Sequence, residues 1–181
     1  MPNNVKNYFE QPGEDGDNTL TLKGSLSRAG RQIVTPVCGN AKVGATAGWV
    51  ITGGTDKSHA TLPASQTSST LVVPITGLEI GDTLTGVSVQ GQIDSAGNNV
   101  TLVLSVRKLT TAVSGVTDVQ IGTDGVGTVT SDTLVSSSLL TVQGLTEVLA
   151  EGETLYALLT GTTGGTTDID LTGIIATVTR S

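Results

Sequence analysis

Apolar residues recur at every second position over most of this chain, from Ala45 to the carboxyl end. The pattern is clearest between positions 87 and 106, where Val, Ile and Leu alternate with Ser, Thr and Gln. Because successive side chains of a β-strand point to opposite faces, this period predicts strands with one buried and one solvent-exposed face. A high content of Gly and Thr, with little Lys and Glu, also disfavours helices.

Two of the predicted strands flank a turn. The alternating segments 87–93 and 100–106 are separated by residues 95–99, Ser-Ala-Gly-Asn-Asn, whose composition is typical of a turn. They are therefore predicted to pair as an antiparallel hairpin. Other segments are assigned by the same criteria: strands at 71–75, at 154–160 and at 168–179, a β-bulge near Gly173, and loops at 122–127 and 161–167. Pro74 indicates either an edge position or the end of its strand.

Short strands separated by turns predict an all-β fold, an antiparallel β-sandwich of jelly-roll type over residues 45–181. The inward-facing positions should include Val87, Val89, Leu102, Leu104 and Leu155. Residues 1–44 lack regular alternation and contain two turn-forming stretches, 11–13 and 14–18. They are predicted to form an extended N-terminal arm with short isolated strands, and the boundary between arm and sandwich is placed at 44/45.

Residues that carry out chemistry are scarce. The single histidine, His59, follows a polar stretch and is predicted to be a solvated surface residue, although a Ser/His/Asp arrangement remains open. The single cysteine, Cys38, is predicted to be a buried or half-buried thiol rather than a nucleophile. One Cys and one His cannot supply the four ligands of a structural zinc site. The chain is therefore predicted not to be an enzyme and to have no cofactor and no metal.

Two carboxylates leave one alternative open. Asp168 and Asp170 are two positions apart in a predicted strand, so they share one face. They are either half of a metal site or the wet face of the last strand, and the second interpretation is favoured.

Charge excludes one class of partner. The formal net charge is −7 and the sequence pI is about 4.4, so nucleic acid would repel the chain. The sequence contains no apolar window long enough to cross a membrane, and its first ten residues do not resemble a secretion signal. We therefore expect synthesis in a cytoplasm, with no nucleic-acid or membrane partner.

The four aromatic residues are unevenly placed. Trp49 and Tyr156 lie in the predicted sandwich, whereas Tyr8 and Phe9 are adjacent in the arm. Aromatic side chains in an extended segment are expected to dock on a surface. That surface is either the chain's own sandwich or a partner subunit, and the sequence leaves both alternatives open.

The segment Val5-Lys6-Asn7-Tyr8-Phe9-Glu10-Gln11 resembles the start of head-fibre and head-decoration (capsid cement) proteins of tailed bacteriophages. Stretches at 81–89, 99–104, 154–158 and 174–178 are similar in pattern to β-sandwiches of virion surfaces. The resemblance implies a homotrimer on the outer capsid surface. Val5, Tyr8 and Phe9 would contact the major capsid protein or adjacent subunits.

Two functions are therefore expected. The first is a structural virion protein, made in the host cytoplasm, that decorates and cements a phage capsid through its N-terminal arm. The alternative is a receptor- or glycan-binding module of a phage tail fibre. Because few aromatics are available to stack on sugars, glycan binding would depend on hydrogen bonds from polar loops such as 122–127.

Overall fold

A computed structural model describes residues 28–51, 59–95, 99–129, 133–135 and 140–180. The strands of this part of the chain are β1 (Arg28–Pro36), β2 (Lys42–Val43), β3 (Val50–Ile51), β4 (Ala60–Leu62), β5 (Ser69–Pro74), β6 (Thr83–Asp94), β7 (Val100–Ala112), β8 (Gly115–Val129), β9 (Thr133–Val135), β10 (Thr141–Val148), β11 (Glu153–Thr162) and β12 (Asp168–Arg180). Among these residues, there is no helix long and apolar enough to cross a membrane.

The strands form two antiparallel sheets. The first sheet has the order β10-β6-β12-β4-β3, with β1 also paired to β12 and β9 to β6. The second sheet has the order β2-β5-β11-β7-β8. The fold is therefore an all-β antiparallel sandwich, and the predicted fold class is confirmed.

The core lies between the two sheets. The five positions predicted to face inward, Val87, Val89, Leu102, Leu104 and Leu155, are all buried. Alternation continues along β11 and β12, so each strand contributes every second side chain to the core. Near Gly173 the register of β12 against β6 shifts between Leu171 and Gly173, which confirms the predicted bulge. β5 ends at Pro74, which is one of the two alternatives predicted for this residue.

The predicted hairpin between 87–93 and 100–106 is wrong. These segments fall in β6 and β7, which belong to different sheets and face each other across the core. Alternation identifies the buried face of a strand. The pattern does not distinguish two strands that pair in one sheet from two strands that lie in opposite sheets. The connection from β6 to β7 therefore passes from one sheet to the other.

The predicted loop at 122–127 is also wrong, because these residues lie inside β8. Its glycines serve a close approach between β8 and β10. A Cβ atom at Gly125 would lie 2.7 Å from the carbonyl oxygen of Thr141, and one at Gly122 would lie 2.4 Å from the side chain of Leu145. Packing favours glycine at both positions, and Gly122 also has a positive φ of 71° at the register shift of β8 against β7.

The sandwich begins earlier in the chain than position 45. β1 pairs with β12 from Arg28 to Pro36, and β2 pairs with β5 at Lys42 and Val43. β1 and β2 are thus part of the sheets. The prediction of an extended arm now concerns residues 1–27, which lie outside the described residues.

The register of the strands places several chain positions at one end of the sandwich, which we call the arm end. Arg28, where β1 begins, pairs with Arg180 at the end of β12. β6 begins there at Thr83, which pairs with Val148 at the end of β10. β11 begins nearby at Glu153. The N-terminal 27 residues therefore join the body at this end.

Candidate binding surfaces

The arm end exposes large aliphatic side chains. Ile80, in the β5–β6 connection, is 60% exposed, and Val148, at the end of β10, is 52% exposed. Val113 and Val116, at the tip of the β7–β8 hairpin, are also exposed, and the hydrogen bond from Thr111 N–H to the Gly152 carbonyl holds this tip beside the β10–β11 turn. Clustered exposed aliphatic residues are typical of surfaces that contact a partner.

Two ion pairs hold the β5–β6 connection against the strands of the arm end. The Arg31 guanidinium on β1 bonds to the Asp82 carboxylate, and the Arg180 guanidinium on β12 bonds to Glu79. Arg180 also donates to the carbonyl oxygen of Ile80 at 3.1 Å. The first strand after the arm is thus fixed directly to the loop that presents Ile80.

Asp82 is the most buried charged group of this network, with only 1% of its side chain exposed. Burial alone would raise the pKa of its carboxyl group. The hydrogen bond from the Glu79 backbone N–H, at 2.9 Å, and the Arg31 guanidinium lower the pKa further than burial raises it. The net result is a pKa below its ordinary value, so Asp82 is a carboxylate at neutral pH.

A second ionic group braces the same end. Lys108 on β7 lies 2.5 Å from a carboxylate oxygen of Glu147 and 3.0 Å from one of Glu153. The hydrogen bonds with Glu147 and Glu153 raise the pKa of Lys108 above its ordinary value. This group links β7, β10 and β11, and so ties the two sheets together at the arm end.

The outer face of the five-stranded sheet carries a shallow pocket of about 420 Å³. Its lining is mainly apolar, with polar groups at the rim. The lining residues are Asn40, Lys42, Val72, Pro74, Leu109, Thr154, Leu155 and Tyr156. Because Pro74 ends β5 and Thr154 lies at the start of β11, the pocket is close to the arm end. We call it the apolar pocket.

The Tyr156 ring beside this pocket is fixed by a polar group on β8. The Tyr156 hydroxyl donates to Asp118 at 2.7 Å, and Arg107 Nε donates to the other oxygen of the same carboxylate at 2.9 Å. Burial raises the pKa of Tyr156, and Asp118 raises it further. The phenol is therefore a neutral hydrogen-bond donor at physiological pH, and its ring forms a fixed wall of the pocket.

A second groove, of about 380 Å³, crosses the outer face of the seven-stranded sheet. Its lining contains amides, hydroxyls and glycines and no charged side chain: Gln32, Thr85, Gly86, Val87, Ser88, Thr141, Gln143, Gly144 and Thr177. Such a surface offers neutral donors and acceptors. We call it the amide groove.

The structure places the residues singled out in the sequence as follows. Val5, Tyr8 and Phe9 lie outside the described residues. His59 is half-buried rather than solvated, with Nε2 at 3.4 Å from Asp170. Cys38 is exposed, so the prediction of a buried or half-buried thiol is wrong. It occupies a turn after β1 in which Asn40 donates to its carbonyl oxygen at 3.3 Å.

Asp168 and Asp170 lie on the outer face of β12, as the two-residue spacing requires. Burial, Asp170 and Asp94 together raise the pKa of Asp168. The described residues contain no group of three or more His, Cys, Asp or Glu side chains arranged to hold a metal ion. Thr61 donates to Asp170 at 2.6 Å, and this hydrogen bond ties β4 to β12.

Neither a family model nor a curated protein matches this chain. Solved structures do match it, with TM-scores from 0.34 to 0.36 for the three described next. The enzymatically active domain of tailspike protein 4 of bacteriophage CBA120 matches over 81% of the chain, with 11% identity and a TM-score of 0.36. The chain spans only 19% of that protein's length.

Two carbohydrate-binding modules of Clostridium thermocellum match over more of their own length. The C-terminal family 22 module of Xyn10B has 11% identity and a TM-score of 0.35, with 80% of this chain and 85% of the module covered. The family 11 module of Lic26A-Cel5E has 13% identity and a TM-score of 0.34, with 85% and 89% covered. At these values the likeness is confined to the β-sandwich architecture.

Proposed function

We propose that this chain is a non-enzymatic structural protein of a phage virion, which decorates the outer capsid surface as a homotrimer. Its arm, through Val5, Tyr8 and Phe9, would bind the major capsid protein or adjacent subunits. One observation supports the proposal above the others: the arm joins the body at the same end that exposes Ile80, Val113, Val116 and Val148.

This arrangement suits attachment by one end. An arm that leaves the sandwich beside exposed aliphatic residues can bind the same partner surface as those residues, so that both contributions add. Ordering the arm costs conformational entropy, and burial of its aromatic side chains offsets that cost. The opposite end, with Asp94 and Asp168, would then face away from the capsid.

Deletion of residues 1–11 should leave a folded trimer that no longer binds capsids. Loss of two aromatic anchors is expected to weaken binding by about 100-fold or more, since each anchor contributes on the order of 2 kcal/mol. The measurement is cosedimentation with empty capsids that lack this protein, and light scattering gives the oligomeric state. Gln92→Ala, which changes an exposed amide of the body near the opposite end, serves as the control and should bind like the parent. Undiminished binding by the truncated chain would refute the role of the arm.

The amide groove favours a second candidate function, the binding of a neutral glycan. Sugar hydroxyl groups pair with amide and hydroxyl side chains, and Gln32, Gln143 and Thr177 present such groups around Gly86. At Gly86 a Cβ atom would lie 3.3 Å from the Val142 carbonyl oxygen. The glycine thus leaves the floor of the groove open between the two amides.

If the groove binds glycan, Gln143→Ala should weaken retention of a bound glycan by about tenfold, the effect of one lost hydrogen bond. A glycan array followed by titration of any retained sugar measures this. Gln92→Ala is the matched control, because Gln92 is an exposed amide on the same outer face that does not line the groove. Equal losses in both variants, or an array without any bound glycan, would exclude this function for the groove.

A further inference from the structure

We infer that the apolar pocket binds the Tyr8-Phe9-Glu10 segment of the same chain in the free subunit. The inference goes beyond the proposed function, because it concerns what the arm contacts before any capsid is present. It assigns an occupant to a surface of the body and selects between the two alternatives that the sequence leaves open for the arm aromatics.

The chemistry of the pocket calls for an apolar occupant. Val72, Pro74 and Leu109 form its aliphatic part, and the Tyr156 ring, held by Asp118, forms a wall. An exposed apolar concavity of this kind is stabilised by an aromatic side chain that displaces water from it. Of the four aromatic residues in the sequence, Tyr8 and Phe9 are the two that lie outside the described residues.

The pocket lies on the same side of the sandwich as β1, the strand that follows the arm. β1 and β5 lie at the same edge of the sandwich, where the Thr35 hydroxyl on β1 is 3.1 Å from the Thr76 hydroxyl just after β5. The pocket begins beside Pro74, two residues before Thr76. A segment that leaves β1 at Arg28 therefore needs to pass around one edge of the body to reach it.

The arm is long enough for this path. Phe9 precedes Arg28 by nineteen positions, which span up to about 60 Å when extended. The two sheets of a sandwich are only about 10 Å apart. Closing such a loop costs little more than closing a shorter one, and the effective concentration of a tethered segment is in the millimolar range. The chain's own arm is therefore favoured over that of a second copy in dilute solution.

The arm segment and the rim of the pocket carry charges of opposite sign. Residues 1–27 contain four acidic and two basic residues, and Glu10 directly follows Phe9. The rim of the pocket presents the ammonium group of Lys42 and the amide of Asn40. With Phe9 in the pocket, the Glu10 carboxylate can reach this rim and pair with Lys42.

The single native cysteine provides a direct test. Cys38 is exposed and lies two residues before Asn40, at the rim of the pocket. In Glu10→Cys, mild oxidation of the purified chain should therefore form a disulfide with Cys38 within one chain. It should form about tenfold faster than in Asn18→Cys, whose cysteine is on the same arm but outside the docked segment. Non-reducing electrophoresis separates the internal disulfide, which migrates faster, from a dimer.

Two further variants connect the disulfide to the pocket. Val72→Asp, made in the Glu10→Cys chain, should reduce the rate to that of Asn18→Cys, whereas Val103→Asp should not. Both valines are half-buried on the outer face of the same sheet, but only Val72 lines the pocket. Phe9→Ala should reduce the rate in the same way and leaves the body unchanged, so it remains decisive if the pocket variant does not fold.

A disulfide that forms mainly between chains would refute docking on the same chain and assign the pocket to the arm of a second copy. Equal rates in Glu10→Cys and Asn18→Cys would refute docking altogether. The assay contains no capsids, so its failure is distinguishable from failure of the capsid-binding proposal. Transfer of the arm from the pocket to a capsid is the only step that depends on the proposed function.

Discussion

Replacement of Gly91 by alanine should destabilise the sandwich by about 3 kcal/mol or prevent folding altogether. Gly91 lies in β6 opposite Leu171 of β12, with β9 on its other side. A Cβ atom at this position would lie 2.1 Å from the backbone carbonyl oxygen of Asp170 and 2.9 Å from the side chain of Leu171. The carbonyl group cannot rotate away because it belongs to the neighbouring strand, so β6 and β12 would have to separate.

Denaturant unfolding of Gly91→Ala and of the parent at the same pH measures this loss. Gly165→Ala is the matched control, because among the described residues no atom beyond Gly165 and its two chain neighbours lies within 4 Å of the added Cβ. That variant should change the free energy of unfolding by less than about 0.5 kcal/mol, or stabilise the fold slightly by restricting the unfolded chain. A Gly91→Ala protein as stable as the control would mean that the two strands are not as close as described.

The fold class follows from the sequence because it depends on a local property, the alternation of buried and wet side chains. This alternation correctly identifies the buried side chains of β6, β7 and β11, as well as the bulge near Gly173. It carries no information on which strand lies beside which. The pairing of β6 with β12 and of β7 with β11 is set by contacts between residues that are far apart in the chain, and the hairpin prediction failed for this reason.

Glycine was the second source of error. Gly122 and Gly125 predict a loop, whereas in β8 they permit contact with β10. A glycine needed for a turn and a glycine needed for a close approach are indistinguishable from one sequence. β8 offers no alternating strand signal to set against these glycines, since Val116, Val119 and Val126 are three and seven positions apart and all three are exposed.

The candidate surfaces were less accessible to sequence analysis than the fold. The arm residues Val5, Tyr8 and Phe9 could be singled out because aromatic residues are scarce and adjacent there. Tyr156 gave no such signal, since its partners Asp118 and Arg107 are 38 and 49 positions away and come together only through the β11–β7–β8 pairing. The ion pair of Arg31 and Asp82 spans 51 positions and was invisible for the same reason.

Replacement of Arg31 by alanine should cost about 2 kcal/mol of folding free energy at pH 7. The variant leaves the Asp82 carboxylate buried, with the Glu79 N–H donor still bonded to Oδ2 and with Oδ1 already lacking a partner among the described side chains. The loss is smaller than for a fully buried pair because the Arg31 side chain is 38% exposed and partly solvated. Arg180→Ala is the matched control at the same end, and its partner Glu79 is more than half exposed, so that variant should lose less than about 1 kcal/mol.

The cost of Arg31→Ala should also depend on pH, and the direction follows from the pKa of Asp82. In the parent, the pKa of Asp82 is lower in the folded than in the unfolded chain. Ionised Asp82 therefore stabilises the fold fully at pH values above its unfolded pKa of about 3.9. This stabilisation is lost as the pH falls through the lower pKa of the folded chain. Without the guanidinium, burial dominates and the folded pKa rises, so the variant loses less stability on acidification. The difference between parent and variant should therefore be largest at neutral pH and shrink below about pH 4. Urea unfolding at pH 7 and pH 3.5 tests this, and a difference that stays constant would assign the effect to lost packing of the Arg31 methylenes instead of to the buried carboxylate.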